Sequence, residues 1–98
     1  MYALALVRYR RPLEEAEGSR EAHRNYLLEL KRQGLLIASG PFDPHFGGAL
    51  LLRVPDDNPR ETLDRIRDDD PFTKEKLAQY EWLVWNVKTG KEELDKIR

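Results

Sequence analysis

The sequence predicts an α+β domain in which a four-stranded antiparallel sheet carries two helices on one face, in the order β-α-β-β-α-β. Three observations predict it. Two short runs, YALALVRY at 2–9 and ALLLRV at 49–54, are apolar on both alternating faces, as strands covered on both sides must be. A stretch with apolar residues at helical spacing lies between them, ending at Gly34. A second helix and an aromatic-rich β-type run follow, punctuated by Pro55, Pro59, Pro71 and Gly90.

Each element can be justified in order. In residues 2–9, Tyr2, Leu4 and Leu6 point one way and Ala3, Ala5 and Val7 the other. Residues 11–18 read as a polar connection with Pro12 and three glutamates. Ser19 is then the expected N-cap, with Glu21 in the first turn to favour the helix dipole. The helix is expected over 20–33, stopping at Gly34 as its C′ residue. Its apolar face holds Tyr26, Leu27 and Leu30, and stepping back by three or four residues lands on His23. His23 therefore faces the sheet, while Glu21, Arg24, Lys31 and Arg32 fall on or near the outer face.

Residues 35–42, LLIASGPF, read as a strand ending at Gly40-Pro41, and 43–48 as a turn containing Gly47-Gly48. The strand 49–54 is closed by 55–58, and Pro59 suits the first position of a helix. That helix carries Leu63 and Ile66 and runs into the acidic stretch 68–70, with one more turn expected over 72–76. The last strand, 77–87, holds Tyr80, Trp82 and Trp85, which on this reading alternate faces and divide between the core and an interface. Residues 1–88 form one domain, and 89–98 a short charged tail with room for a helical turn. This order is the ferredoxin-like arrangement, with the first and third strands in the middle of the sheet. One sheet face is covered by helices; a second copy of the chain is the simplest cover for the other, which gives a two-fold homodimer.

Composition bounds the function. The chain has 98 residues, 17 Lys plus Arg against 18 Asp plus Glu, 40% hydrophobic and 36% charged residues. One globular core accounts for that length and mixture. A domain this small buries only about 60–70% of its unfolded surface. With no Cys and only two His, neither disulfides nor a structural zinc is expected to add stability, which again favours oligomerisation. The near-zero net charge gives no field for nucleic acid or anionic lipid. Arg8, Arg10 and Arg11 surround Tyr9, but Glu14, Glu15 and Glu17 offset them, so this is a solvated face. No apolar run approaches the roughly 20 residues of a membrane span. The opening MYALALV lacks the basic start of a secretory signal, so a cytoplasmic location is expected.

Chemistry concentrates on His23. A histidine moves protons when a partner fixes its tautomer, and a carboxylate on the far ring nitrogen does so while stabilising the imidazolium. Spacing alone leaves two readings open: a core-edge histidine bonded to a backbone carbonyl, or a dyad with Asp70, which also serves as a helix stop before Pro71. Asp43, His45, His23 and Asp70 show no metal-ligand spacing, so no metal is expected. Gly47-Gly48 is not a phosphate loop, and no cofactor motif is present.

The stretch H-x-x-Y-L-x-x-L at His23, Tyr26, Leu27 and Leu30 is followed by Gly34-Leu35, Ser39-Gly40-Pro41 and Asp70-Pro71-Phe72. In that order, over about 1–88, the set resembles the YCII-related (YciI-like) family of small bacterial proteins. The resemblance implies a ferredoxin-like dimeric α/β barrel with a His and an Asp as an active-site dyad, here His23 and Asp70 but not Asp68 or Asp69. Most members act on unknown substrates, and one branch is associated with removing chloride from chlorinated hydroxyquinols. Ser39 stands where the family often has a smaller residue, which bears on pocket shape. On this basis Ser39, Gly40 and Pro41 are expected to border the pocket and Phe72 to form an apolar wall, with the Ser39 hydroxyl a candidate oxyanion donor. The bland alternatives are a strand terminator at Gly40-Pro41 and a core position for Phe72.

The function expected is acid–base chemistry (elimination, isomerisation or hydrolysis) on a small organic, aromatic or cyclic substrate. The alternative is a non-catalytic dimeric module that binds a small ligand or regulates a partner. A heme-free monooxygenase rests on fold analogy alone.

Overall fold

Strand β1 (Tyr2–Tyr9) lies inside the sheet of the computed structural model, which describes residues 1–97. It pairs antiparallel with β3 (Gly47–Arg53) on one side and β4 (Ala78–Trp85) on the other, with Leu4 opposite both Leu51 and Leu83. The outer strand β2 (Leu36–Pro41) pairs antiparallel with β3, giving the order β2-β3-β1-β4. The two runs that are apolar on both faces are thus the two central strands, as expected.

Side-chain parity builds the core. Ala3, Ala5 and Val7 of β1, with Leu50 and Leu52 of β3, bury against α1 (Leu13–Arg32) and α2 (Pro59–Asp69), where Leu30, Leu63 and Ile66 close the layer. The single turn α3 (Pro71–Lys74) adds Phe72 at one end, and Leu77, between α3 and β4, joins it. The opposite sheet face stays apolar and only part-covered. Leu4, Leu6 and Leu51 are half-buried there, and Leu83 and Trp85 are 42% and 43% exposed. A short helix α4 (Lys91–Asp95) from the charged tail docks at the end of this face. The Tyr2 hydroxyl donates to Asp95 at 2.5 Å, and the Arg53 guanidinium donates to the Leu94 carbonyl at 2.9 Å. Among the described residues, no helix is long and apolar enough to cross a membrane.

Two local expectations need correction. Helix α1 starts at Leu13, about two turns before Ser19, with Pro12 in the N-cap position. Glu14 and Glu15 occupy its first turn, and Ala16 is buried in the core. Leu, Glu and Ala are strong helix formers, and that anchored run outweighs the roughly 1 kcal/mol that Gly18 costs inside a helix. The other correction is Gly47-Gly48, which opens β3 instead of lying in the turn. A Cβ on Gly47 would collide with the Val7 carbonyl oxygen, and one on Gly48 would lie 2.6 Å from that of Gly40. The glycine pair therefore lets β2, β3 and β1 converge at the corner where the cavity lies.

These two glycine environments give opposite expectations. Gly47→Ala must displace backbone and is expected to destabilise by about 1–3 kcal/mol or more, lowering the melting temperature by several degrees. Gly18 has nothing within 4 Å of an added Cβ, so Gly18→Ala is expected to stabilise α1 by about 0.5–1 kcal/mol. Circular-dichroism melts of the two variants check both signs.

Candidate active site

Helix α1 presents Ala16, Arg20, His23, Leu27 and Leu30 at successive steps of three or four, one stripe along its sheet-facing side. His23 is placed in that stripe where α1 passes the junction of α2 and α3. Pro71 disfavours a helical conformation for the residue before it, so Asp70 is extended (φ −67°, ψ 127°) and ends α2. The same residue caps α3: its Oδ1 accepts the Phe72 N–H at 2.9 Å. One backbone turn thus stops a helix, starts another and turns a carboxylate inward.

Asp70 is 0% exposed, the one charged residue in the core of the described chain. A buried carboxylate must be surrounded by donors. Besides Phe72, His23 Nδ1 lies 2.7 Å from Oδ1, and the Tyr80 hydroxyl makes a short hydrogen bond to Oδ2. An ionised carboxylate only accepts, so Nδ1 carries the proton. The other ring nitrogen, Nε2, has no protein partner among the described residues. Burial, reinforced by the Asp70 charge, pushes the Tyr80 hydroxyl far above the usual phenol range, so it stays a donor. The Tyr26 hydroxyl donates to the Ile66 carbonyl at 2.8 Å and ties α1 to the end of α2.

The His23 ring is clamped as well as bonded. Phe72 stacks on it with centroids 3.9 Å apart and planes 5° apart, and Tyr9 meets Phe72 edge-on at 5.8 Å. The Tyr9 hydroxyl in turn reaches His45 Nε2 at 3.0 Å. Burial raises the Tyr9 hydroxyl above its usual range, with nearby Arg20 opposing the shift.

A cavity of about 700 Å³ opens between α1 and the β2–β3 side of the sheet, within the usual size range of small-molecule sites. His23, Ser39, Gly40, Pro41 and Phe72 all line it, while Asp70 sits behind His23. The six residues singled out in the sequence therefore come together. Phe72 serves both readings considered for it, being 3% exposed in the core and also in the cavity wall. Among the described residues, no group of three or more His, Asp or Glu side chains is arranged to hold a metal ion.

Other site residues were misplaced or missed. Arg24 and Lys31 border the cavity and do not belong to an outer face. They flank the His23 stripe at its β2 side, where α1 overhangs the sheet edge and long side chains reach the opening. Tyr80 belongs to the Asp70 cluster and not to an interface. It shares its sheet face with Trp82, their rings meeting edge-on at 5.4 Å, so the two do not alternate. His45, weighed only as a metal ligand, is a wall residue bonded to Tyr9.

The model of the YCII-related domain matches residues 1–86. The chain belongs to the YCII-related family. Among solved structures, it is similar to the 5-chloro-2-hydroxyhydroquinone dehydrochlorinase TftG of Burkholderia phenoliruptrix AC1100, in complex with 2,5-dihydroxybenzoquinone. The identity is 26% and the TM-score 0.71, over 94% of this chain and 98% of that one. A search of curated proteins finds none that matches. The YCII-related family and the ferredoxin-like fold expected from the motifs are both borne out.

Proposed function

We propose that this YCII-related chain is a small acid–base enzyme acting on a hydroxylated aromatic or cyclic molecule. His23 transfers the proton, and Asp70 orients and stabilises it. One observation carries the reading: the Nδ1–Oδ1 hydrogen bond of 2.7 Å to a fully buried carboxylate, on a ring that lines a 700 Å³ cavity. A histidine needed only for packing does not require a dedicated buried charge, which is costly to desolvate. The similarity to TftG, a dehydrochlorinase with a dihydroxyquinone in its complex, supports a small ring as substrate.

On this reading Nε2 removes a proton from a ring hydroxyl, and the imidazolium formed is stabilised by Asp70. Returning that proton to a ring carbon converts the enol to its keto form. If that carbon carries a halide, the halide leaves with the ring's bonding pair as a second hydroxyl loses its proton. The net change is loss of hydrogen halide, with no external oxidant or reductant. The Ser39 hydroxyl donates to the oxyanion while it develops, Gly40 and Pro41 shape the rim, and Phe72 holds the imidazole plane.

The part-covered apolar face supports a homodimer, with Leu4, Leu6, Leu51, Leu83 and Trp85 meeting their copies. Light scattering should then give twice the 11.5 kDa chain mass; a monomer at micromolar concentration refutes it.

The functional test uses 5-chloro-2-hydroxyhydroquinone as substrate, with chloride release as the readout, and 2,5-dihydroxybenzoquinone as the binding probe. The wild type is expected to release chloride and to bind the probe. Asp70→Asn is expected to bind within a few-fold of wild type and to lose most of its turnover. A wild type that binds the probe without releasing chloride makes the chain a ligand-binding or regulatory module instead.

A further inference from the structure

The walls of the cavity have a charge that composition does not explain. The chain as a whole is balanced, at 17 basic against 18 acidic residues. Yet five lining side chains are cationic or can become so (Arg20, His23, Arg24, Lys31 and His45), and none is acidic. Asp70 is no exception, since it is buried behind His23 and its oxygens are engaged by His23, Phe72 and Tyr80. Arg20 pairs with Glu17 at 3.2 Å, a carboxylate half exposed to solvent. Arg24 makes no ion pair or hydrogen bond among the described residues.

The cations are also in order. Positions 20, 24 and 31 recur at steps of four and seven, so they run along one side of α1 for roughly 16 Å at 1.5 Å per residue. Facing them across the opening are Ser39 and Gly40 of β2. The floor between is apolar, made by Val7, Leu27, Leu36 and Leu50. An apolar floor takes the face of a ring. A cationic edge on which Arg24 is unpaired and Arg20 shares its charge with only the half-exposed Glu17 takes a negative charge on that ring's rim, and in a part-enclosed cavity this attraction is less screened than on open surface.

We infer that the site takes its substrate as an anion, a ring bearing at least one ionised oxygen, and that Arg24 and Arg20 are the residues that select it. The inference rests on the reading of His23 and Asp70 as the proton-transfer pair and names the charge of what they act on. It also gives the cations a part in the chemistry. When His23 takes a further proton from an anionic ring, the charge that builds on the ring oxygens lies beside guanidinium groups already in position.

The test compares 2,5-dihydroxybenzoquinone, an acidic enol that is ionised at neutral pH, with its neutral 2,5-dimethoxy ether. Benzoate and benzamide serve as a second pair and separate a ring oxyanion from a carboxylate. Binding is read by calorimetry and by the ring resonances of His23 and His45, the only two histidines of the chain. At least one anion of the two pairs is expected to bind tenfold or more tighter than its neutral partner, to weaken with added salt, and to shift the His23 signals. Arg24→Gln and Arg20→Gln are each expected to weaken that anion by about tenfold, the loss of one charge-assisted contact, while leaving the neutral partner unchanged. Arg24 is exposed and unpaired, so its variant folds. Equal binding of anion and neutral partner at His23, or anion affinity indifferent to both variants, overturns the inference and leaves the proton-transfer reading standing. If no probe of either charge moves the His23 signals, the reading of the site itself fails and the inference falls with it.

Discussion

Asp70→Ala is expected to lower the stability of this domain by about 3–5 kcal/mol, the cost of breaking a buried, fully engaged charge cluster. The carboxylate is fully buried, and three donors converge on it from three elements: His23 of α1, the Phe72 N–H of α3 and the Tyr80 hydroxyl of β4. Alanine leaves the Phe72 and Tyr80 donors dry and unpaired, each at about 1–3 kcal/mol. It also removes the N-cap of α3, typically worth about 1 kcal/mol. The terms overlap because the groups relax together, so the lower range is the better guide. A domain of this length typically has about 5–15 kcal/mol in all, so the variant is expected to sit near the edge of folding. Urea titration measures the effect as a fall in midpoint with little change in slope. A loss below about 1 kcal/mol would mean that water replaces the carboxylate and that the cluster is looser than its geometry implies.

The same cluster shows how far the sequence could be read. The central strands were legible because runs 2–9 and 49–54 are apolar on both faces, a pattern that only covered strands carry. His23 was legible as an inward residue because helical periodicity depends on the residues around it alone. Its partner was not. His23 and Asp70 are 47 residues apart in the chain, and periodicity carries no information about how α1 lies against the α2–α3 junction. The family resemblance supplied the pairing, and in the structure the two side chains lie 2.7 Å apart. Tyr80 was harder still. Only the register, which sets it opposite Val7, shows that it belongs to the helix-covered face within reach of Asp70. The start of α1 was missed for a different reason. A glycine, a proline and three glutamates look like a loop until the burial of Ala16 is known. Arg24 and Lys31 were given to solvent because a charged flank reads as an outer face unless the helix overhangs a sheet edge.

His23→Gln separates chemistry from architecture, and its expected result differs in kind from that of Asp70→Ala. The His23 side chain is 16% exposed at a cavity wall, where Asp70 has no solvent contact at all. Glutamine keeps an amide N–H able to donate to Asp70, so the carboxylate stays partnered and only part of the ring packing on Phe72 is lost. The expected stability cost is about 1–2 kcal/mol, well below that of Asp70→Ala. Glutamine cannot accept and release a proton near neutrality. If His23 is the proton-transfer group, turnover should fall by about 10²–10⁴-fold, the usual contribution of a positioned acid–base residue. Binding of 2,5-dihydroxybenzoquinone should change far less, because the cations and the apolar floor remain. Chloride-release kinetics beside a urea titration of the same preparation give both numbers. A fall in turnover below about tenfold would remove His23 from the chemistry. A stability loss matching that of Asp70→Ala would instead make the histidine a structural partner of the buried charge. The two variants together assign each half of the pair, because a residue held for its packing and one held for its proton fail in different measurements.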